Sequence, residues 1–475
     1  MDFRRIFSLL KFLIFALILP LNFALSTVSN AAISDSEIQT LEQDFQITTN
    51  KIYSSLAKKL SQCSSHTRSL KRLNKQLQKL TKQNKNVISI CLIQNHLSLI
   101  EKNIDSKEVF PIFQFLLNNN DSILANKLYT KVKDEGDKSL LSNYSFIYAR
   151  YYLKRKKWAK VLFFIKGTYN DLTAEDANFA RLITGIALQK TKKHRKAVKI
   201  YSKIPSQSKY YPEARLNIAT AYIRQDWWTD AHLEINNIIN NKKTETNKEM
   251  INRLYLVLGY SLLRKEFYRD SREAFRNIEV DSIYFNKALL GIALTATNQE
   301  DYIGALNALT ILKSKKSYDL SIDESYLLLP YTYEKLNQNM TASASYTDAQ
   351  KYYQERIKNI QLLINKKQYK TNAKTILDNN HYLNLEKNIV DFSKYYPVSF
   401  LKNITHLNEL SVYLSYIQDK NLIRKYKTLV VKHNKLFSTM LDHIMDKRLA
   451  YLNSYMNQAR FGLARLFDNS NTASN

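Results

Sequence analysis

The stretch "LGYSLLRKEFYRDSREAFRNI", residues 258–278, contains two small residues, Gly259 and Ser271, twelve positions apart among large apolar and aromatic side chains. Two helices approach closely only where the side chains at their crossing are small, because larger ones hold the backbones apart. The spacing therefore predicts two antiparallel helices that cross at Gly259 and Ser271.

The same pair of positions recurs along the chain. The residues that correspond to Ser271 are Ala125, Val161, Ala197, Ala231, Ala305 and Ala342, and with Ser271 their successive separations are 36, 36, 34, 40, 34 and 37 residues. The residues that correspond to Gly259 are Phe113, Ala149, Gly185, Ala219, Ala293 and Pro330. A period of about 34 residues indicates an array of helical hairpins. Its regularity argues against a generic helical bundle with an accidental spacing of small residues.

The composition favours helix throughout the chain. The 475 residues include only 7 Gly and 6 Pro, which is far below average usage. So few turn-forming residues argue against a β-rich fold and against a glycine-rich phosphate-binding loop. The sequence predicts an all-α fold.

The repeating unit resembles the tetratricopeptide repeat (TPR), a hairpin of two helices with small and large residues at fixed places. In the unit around Gly259 the matching residues are Tyr255, Leu258, Gly259, Leu262, Tyr268, Ser271, Phe275 and, less well, Ile278. The resemblance covers residues 106–355. It implies about seven units stacked into a right-handed superhelical solenoid, with helical segments on either side. The residues expected to pack at helix crossings are Gly185, Ala197, Ala219, Ala231, Gly259, Ser271, Ala293, Ala305 and Ala342.

Two features depart from the TPR pattern. Pro330 replaces a small residue and is expected to kink its helix or to remove one hydrogen bond. The segment "NKKTETNK", residues 241–248, is an extra loop. More narrowly, "LLLPYTYEKL" (residues 327–336) and "NQARFGLARLF" (residues 457–467) resemble uncharacterised exported TPR proteins of Gram-negative bacteria.

Residues 1–31 have the pattern of an export signal. Arg4, Arg5 and Lys11 precede an apolar run from Phe12 to Leu19, and small residues follow it before position 32. The run is shorter than the ~20 residues that span a bilayer, so a cleaved signal is favoured over a retained membrane anchor. We therefore expect a periplasmic location, with membrane association as the alternative.

Export would place the two cysteines in an oxidising compartment. In an oxidising compartment the even pair Cys63 and Cys91 favours a disulfide. Two separate buried thiols are the alternative.

The segments on either side of the repeats also suggest helices. Residues 32–105 form a basic N-terminal region, in which residues 45–100 contain ten Lys and Arg and neither Asp nor Glu. Residues 356–475 suggest long helices that end in a repeat-like cap, "YLNSYMNQARFGLARLF" (residues 451–467), since a solenoid needs a polar-faced end.

A formal net charge of +29 favours anionic partners. Export argues against nucleic acid and favours acidic proteins, anionic lipid, lipopolysaccharide or glycan. Compositional bias of an AT-rich genome toward Lys explains the charge equally well.

One series of cations follows the repeat. At the end of the first helix of successive units stand Lys154, Lys190, Arg224, Arg264, Asn298 and Lys335. In TPR proteins the first helices line a concave groove, so these cations are candidates for its rim. The alternative is that they only stabilise the helix ends, where the macrodipole favours a cation by about 0.3–1 kcal/mol. The other groove candidates in the same register are Asn217, Thr220, Arg253, Tyr260 and Lys287.

No catalytic constellation is visible in the sequence. The eight His include no pair at the i, i+4 spacing of a helical zinc site, and His433 and His443 are more simply packed or solvated side chains. We therefore expect no metal, no cofactor and no enzyme activity. The sequence predicts an exported scaffold that binds a protein or peptide segment. A module for anionic lipid, lipopolysaccharide or glycan is the alternative, and a cell-wall enzyme is the third and weakest reading.

Overall fold

The computed structural model describes residues 35–63, 67–225, 227–240, 248–315, 319–366, 373–385 and 388–473. The expected export signal, residues 1–31, and nearly all of the extra loop at residues 241–247 lie outside this part of the chain. Within it the all-α prediction is confirmed, apart from one short antiparallel hairpin of two strands.

The helices fall into an N-terminal group, seven hairpins and a C-terminal group. The N-terminal group contains α1 (Asp35–Lys59), α2 (Leu70–Lys82), α3 (Asn86–Asn95) and α4 (Leu97–Lys102). The first helices of the hairpins are α5 (Val109–Asn118), α7 (Lys138–Lys154), α9 (Ala174–Lys190), α11 (Tyr211–Ile223), α13 (Lys248–Arg264), α15 (Phe285–Asn298) and α17 (Leu320–Lys335). The second helices are α6 (Ser122–Glu135), α8 (Trp158–Ile165), α10 (His194–Tyr201), α12 (Trp228–Asn240), α14 (Tyr268–Arg276), α16 (Tyr302–Lys313) and α18 (Asn339–Lys366). The C-terminal group contains α19 (Ala373–Asp378), β1 (Tyr382–Leu385), β2 (Asn388–Asp391), α20 (Val398–Ser411) and α21 (Lys420–Ala473).

In the six hairpins whose turns the structure describes throughout, the turn uses one residue with a left-handed backbone. These residues are Asn120, Lys156, Lys192, Glu266, Glu300 and Asn337, with φ between 56° and 65°. The following N–H closes the first helix in the manner of a Schellman motif, as when Lys193 N donates to the Leu188 carbonyl at 2.8 Å. Each turn residue lies five positions before the second small residue of its unit. The chain therefore turns in the register that the small residues define.

At the helix crossings there is no room for larger side chains. A Cβ atom added to Gly185 would lie 2.2 Å from the Tyr201 ring, and one added to Gly259 would lie 2.6 Å from the Phe275 ring. Ser271 is fully buried, and its hydroxyl donates to the Gly259 carbonyl at 2.8 Å. The other predicted crossing residues, Ala197, Ala219, Ala231, Ala293, Ala305 and Ala342, are buried as well. Small residues thus let the Tyr201 and Phe275 rings fill the space between the helices of their hairpins.

Successive first helices touch one another along the array, whereas successive second helices are farther apart. A stack of hairpins curves toward the side on which its elements are closer, so the first helices line the concave surface. Helix α17 runs through Pro330 without ending there, and the ring is buried. The right-handedness of the superhelix stays a prediction.

The N-terminal and C-terminal groups share one apolar core. Helix α1 packs against α3, α6, α20 and α21, and this core extends from Ile38 to Leu466. Cys63 and Cys91 form a disulfide with Cα atoms 5.6 Å apart, which ties the end of the α1 segment to α3. The two groups therefore form one body, and this body packs against the first hairpin of the array.

The C-terminal group differs in one respect from the long helices that the sequence suggested. Asn380 and His381 adopt left-handed backbone conformations after α19, and strands β1 and β2 follow, with Tyr382 paired to Asp391. Consecutive left-handed residues end a helix, and Tyr, Ile and Val favour strands. Beyond them α21 is a single helix of 54 residues. Its distal half packs against α17 and α18, where an added Cβ on Gly462 would meet the Tyr346 ring at 2.4 Å.

Candidate functional site

The predicted cations stand at the ends of the first helices. Lys154, Lys190, Arg264 and Lys335 are the last residues of their helices, and Arg224 directly follows α11. Burial lowers the pKa of Lys190, and the nearby charges of Arg224 and Lys156 lower it further. Cations of neighbouring units therefore lie close enough to repel one another. We call Lys154, Lys190, Arg224 and Arg264 the cationic rail.

Three of the remaining groove candidates, Tyr260, Lys287 and Asn217, take part in contacts between units. The Tyr260 hydroxyl donates to the Lys287 carbonyl at 2.8 Å, and the Asn217 carbonyl accepts from Gln189 Nε2 at 2.7 Å. Thr220 Oγ1 donates to the Leu216 carbonyl of its own helix at 2.9 Å. The contacts of Tyr260 and Asn217 join successive first helices, so they support the concave wall.

Arg253, the last of these candidates, is exposed on α13. Burial raises the pKa of Glu213, and the charge of Arg253 opposes that rise. Whether these side chains bind a partner stays a prediction.

A cavity lies where the C-terminal group meets the concave side of the first two hairpins. Its volume is about 520 Å³. Helices α5 and α7 form one wall, and His381 together with residues of the stretch from Ser393 to Lys402 forms the other. This volume lies within the range of pockets for small organic ligands.

All the Lys, Arg, Asp and Glu side chains that line this cavity are cationic. Arg150, Lys154, Arg155, Lys156 and Lys402 line it, and no Asp or Glu does. Among the residues that the structure describes, none of these five cations forms an ion pair with a carboxylate. Low-dielectric walls focus such a field, so the cavity attracts anions. We call these five residues the cation cluster.

Asn120 positions part of the cluster. Its side-chain oxygen accepts from the Arg155 guanidinium, and its Nδ2 donates to Asn403 Oδ1 at 2.6 Å. The Arg155 guanidinium also lies 3.5 Å from the centre of the Tyr151 ring. The Lys156 ammonium donates to the Ser393 carbonyl at 2.7 Å. Arg155 and Lys156 are thereby fixed between the hairpin turns and the C-terminal group.

Lys154 and Lys402 keep part of their surface open toward the cavity. Burial lowers the pKa of Lys402, and the charges of Lys154 and Arg155 lower it further. Burial likewise lowers the pKa of Lys154, with Arg150 and Arg155 as the next causes. Mutual repulsion is thus built into the cluster, and a bound anion would relieve it.

Two carboxylates lie behind these walls: Asp391 accepts from the Ser393 hydroxyl at 2.6 Å, and Glu42 of α1 lines an adjoining cavity of about 450 Å³. Glu42 accepts from the Ser399 hydroxyl at 3.0 Å. Tyr151 and Arg155 separate the two cavities and line both of them. The negative charge of Glu42 is therefore held outside the cation cluster.

The histidines considered from the sequence have packing roles. The His433 ring is buried and stacks on Phe400 with the ring centres 5.2 Å apart, and burial lowers its pKa. His443 Nδ1 contacts the Tyr396 hydroxyl. Across the described parts of the chain, no group of His, Cys, Asp and Glu is arranged to hold a metal ion. None of the helices in these parts is long and apolar enough to cross a membrane.

Comparisons with known proteins give a likeness only at the level of structure. No family model matches the chain, and no curated protein matches it. The apo form of the quorum sensor NprR from B. thuringiensis is 16% identical, with 70% of this chain and 99% of that chain covered and a TM-score of 0.33. The apo form of RapI is 13% identical, with 70% and 97% covered and a TM-score of 0.38. The Cut9–Hcn1 hetero-tetramer of APC/C is 13% identical, with 84% and 74% covered and a TM-score of 0.28.

The fold is TPR-like. With TM-scores this low, that statement rests on the hairpins themselves: their turns, their small crossing residues and the concave row of first helices.

The cation cluster was only partly visible in the sequence. Lys154 belongs to the predicted series, and "KRKK" at residues 154–157 marks a concentration of charge. Lys402 and His381 come from a distant segment whose position depends on how the C-terminal group packs. No local pattern reveals that contact.

Proposed function

We propose that the protein is a non-catalytic scaffold that binds an acidic segment of a protein or peptide partner along its concave surface. The observation that carries the proposal is the cationic rail. Burial lowers the pKa of Lys190, and Arg224 and Lys156 lie close enough for their charges to lower it further. An extended acidic segment would contact several of these charges at once.

The rail suits an extended ligand better than a compact one. Its members come from successive hairpins and mark the same place in each unit. A ligand that follows the groove past these four hairpins therefore meets a cation at each of them. Electrostatic complementarity of this kind raises association rates and selects against basic partners.

We further propose that the protein is exported and acts in the periplasm or at the envelope, with an envelope protein as its partner. The pattern of residues 1–31 supports export, and the disulfide between Cys63 and Cys91 suits an oxidising compartment. Extracting the native protein from separated cell fractions tests this location. Recovery in the cytoplasmic fraction with residues 1–31 still attached would contradict it.

The partner proposal is tested by crosslinking in the native envelope. A photo-reactive residue in place of Asn217, on the concave wall, is expected to capture one defined protein, and one in place of the exposed Ala159 on α8 is not. Changing Lys190, Arg224 and Arg264 to Gln should reduce the capture at Asn217. Capture of anionic lipid, lipopolysaccharide or glycan instead would favour the alternative function.

A further inference from the structure

The cavity between the first two hairpins and the C-terminal group holds more positive charge than packing requires. Five cations surround a volume of about 520 Å³ that no carboxylate lines. Like charges that line one cavity repel one another. Arg150, Lys154, Lys156 and Lys402 are exposed to solvent, and all of them line this one space. A bound anion would offset their mutual repulsion.

We propose that this cavity is a binding site for a phosphate ester, with the cation cluster holding the dianionic phosphoryl group. The site shares Lys154 with the end of the rail, and its ligand is distinct from the acidic segment proposed above. The inference therefore goes beyond the proposed function and does not depend on it.

The composition of the cluster favours a phosphoryl group over a single carboxylate. One carboxylate would neutralise one charge and leave four unopposed. A phosphoryl dianion carries twice the charge and presents three oxygens in different directions. Lys154, Lys156 and Lys402 act as point charges, and Arg150 and Arg155 add planar guanidinium donors. Cations from two walls can thus reach separate oxygens of one group.

The rest of the cavity suits the organic part of an ester. Leu117, Ile147 and Val398 provide an apolar surface, and the amides of Gln114 and Asn118 provide donors and acceptors. A free phosphate ion would leave most of this volume empty. The ester can be a small soluble molecule or the headgroup of a phospholipid, since both present the same phosphoryl chemistry.

Isothermal titration calorimetry with glycerol 3-phosphate tests the site in the protein from residue 32 to residue 475. Malonate, a dicarboxylate of equal charge, serves as the comparison ligand. The cavity variant carries Lys154→Gln and Lys402→Gln, and the control variant carries Lys71→Gln and Lys75→Gln on the exposed face of α2. Removing two repelling charges should not lower the melting temperature. If the double variant nevertheless misfolds, Arg150→Gln alone replaces it.

Glycerol 3-phosphate should bind the native protein more tightly than malonate does. Its Kd should rise at least about tenfold in the cavity variant and stay within about twofold of native in the control. Absence of binding, equal affinity for malonate, or equal losses in both variants would each overturn the proposal. None of these results would affect the crosslinking test of the rail.

Vesicles distinguish the two sources of the ester. Phosphatidic acid in phosphatidylcholine is compared with phosphatidylcholine alone. If the headgroup is the ligand, the cavity variant should lose its affinity for phosphatidic acid vesicles together with its affinity for glycerol 3-phosphate. If the ligand is a small soluble ester, only glycerol 3-phosphate binding should depend on Lys154 and Lys402.

Discussion

Arg356 Nη1 lies 2.7 Å from Asp323 Oδ1, and both side chains are buried between the two helices of the last hairpin. Arg448 of α21 binds the other carboxylate oxygen of Asp323. The Tyr352 hydroxyl donates to Oδ1 as well, at 2.7 Å. One carboxylate thus ties the long C-terminal helix to the end of the array.

Asp323→Asn should be strongly destabilising. The change removes the buried carboxylate charge that both guanidinium groups contact, which costs about 3–5 kcal/mol of unfolding free energy. Urea denaturation followed by circular dichroism measures the loss. The control is Asp348→Asn, because the Asp348 carboxylate pairs with Lys313 at 3.7 Å and is largely exposed. That exposed pair should contribute at most about 1 kcal/mol, and equal losses in the two variants would contradict the role of Asp323.

The neighbouring carboxyl group predicts a pH dependence. Burial raises the pKa of Glu324 from 4.5 to about 7, the charges of Asp323 and Asp319 act in the same direction, and the hydrogen bond from Tyr455 opposes them. The folded state therefore holds this proton more tightly than the unfolded state. The unfolding free energy should fall as the pH rises from about 4.5 to 7. Asp121 and Glu234, whose pKa values burial raises to about 6, contribute with the same sign over the lower part of that range.

Glu324→Gln removes the titrating group and keeps an acceptor for Tyr455. The variant should match the native protein near pH 4.5 and exceed its stability above pH 7 by at most about 3 kcal/mol. Chemical denaturation at a series of pH values checks this, with the exposed Glu355→Gln as the control. A native-like decline between pH 6 and 7 in Glu324→Gln would show that another group carries the dependence.

Replacing an alanine with leucine should lower the unfolding free energy at a helix crossing more than on the exposed surface. Ala231 is buried at a crossing, whereas Ala159 is exposed on α8. Ala231→Leu should overpack its crossing and lower the unfolding free energy by about 1–3 kcal/mol. Ala159→Leu, the same change on the solvent side, should stay within about 0.5 kcal/mol of native. Equal denaturation midpoints for the two variants would mean that the crossings are placed wrongly.

The hairpin turns predict opposite effects for two changes at one residue. Glu300 has a φ of 60°, which glycine adopts without the steric penalty of a side chain. Glu300→Gly should therefore be neutral or stabilise the protein by up to about 1 kcal/mol. Glu300→Val should destabilise it, because a β-branched residue fits this conformation poorly. Thermal melts of both variants give the order, and a more stable Glu300→Val would refute the turn geometry.

The sequence reveals those parts of the fold that repeat. Gly259 and Ser271 show in one short stretch where the two helices of a hairpin cross, and the other units have residues at the same spacing. The C-terminal group has no such repetition. The strand pair at Tyr382 and Asp391 and the meeting of Lys402 with Lys154 depend on contacts between distant segments. The positions of the rail cations could thus be predicted from the sequence. The cation cluster could be identified only from the packing of the C-terminal group against the hairpins.

The most direct test of the scaffold proposal measures how a labelled glutamate-rich peptide binds by fluorescence anisotropy at several salt concentrations. The rail variant carries Lys190→Gln, Arg224→Gln and Arg264→Gln, and the control variant carries Lys71→Gln, Lys75→Gln and Lys79→Gln on α2. Both lose three charges and keep similar helix propensity. The rail variant should bind more weakly than the control and show a shallower salt dependence, because fewer charges contact the peptide. Equal losses in both variants, or native affinity in the rail variant, would contradict binding at the rail and leave its cations as helix-end stabilisers.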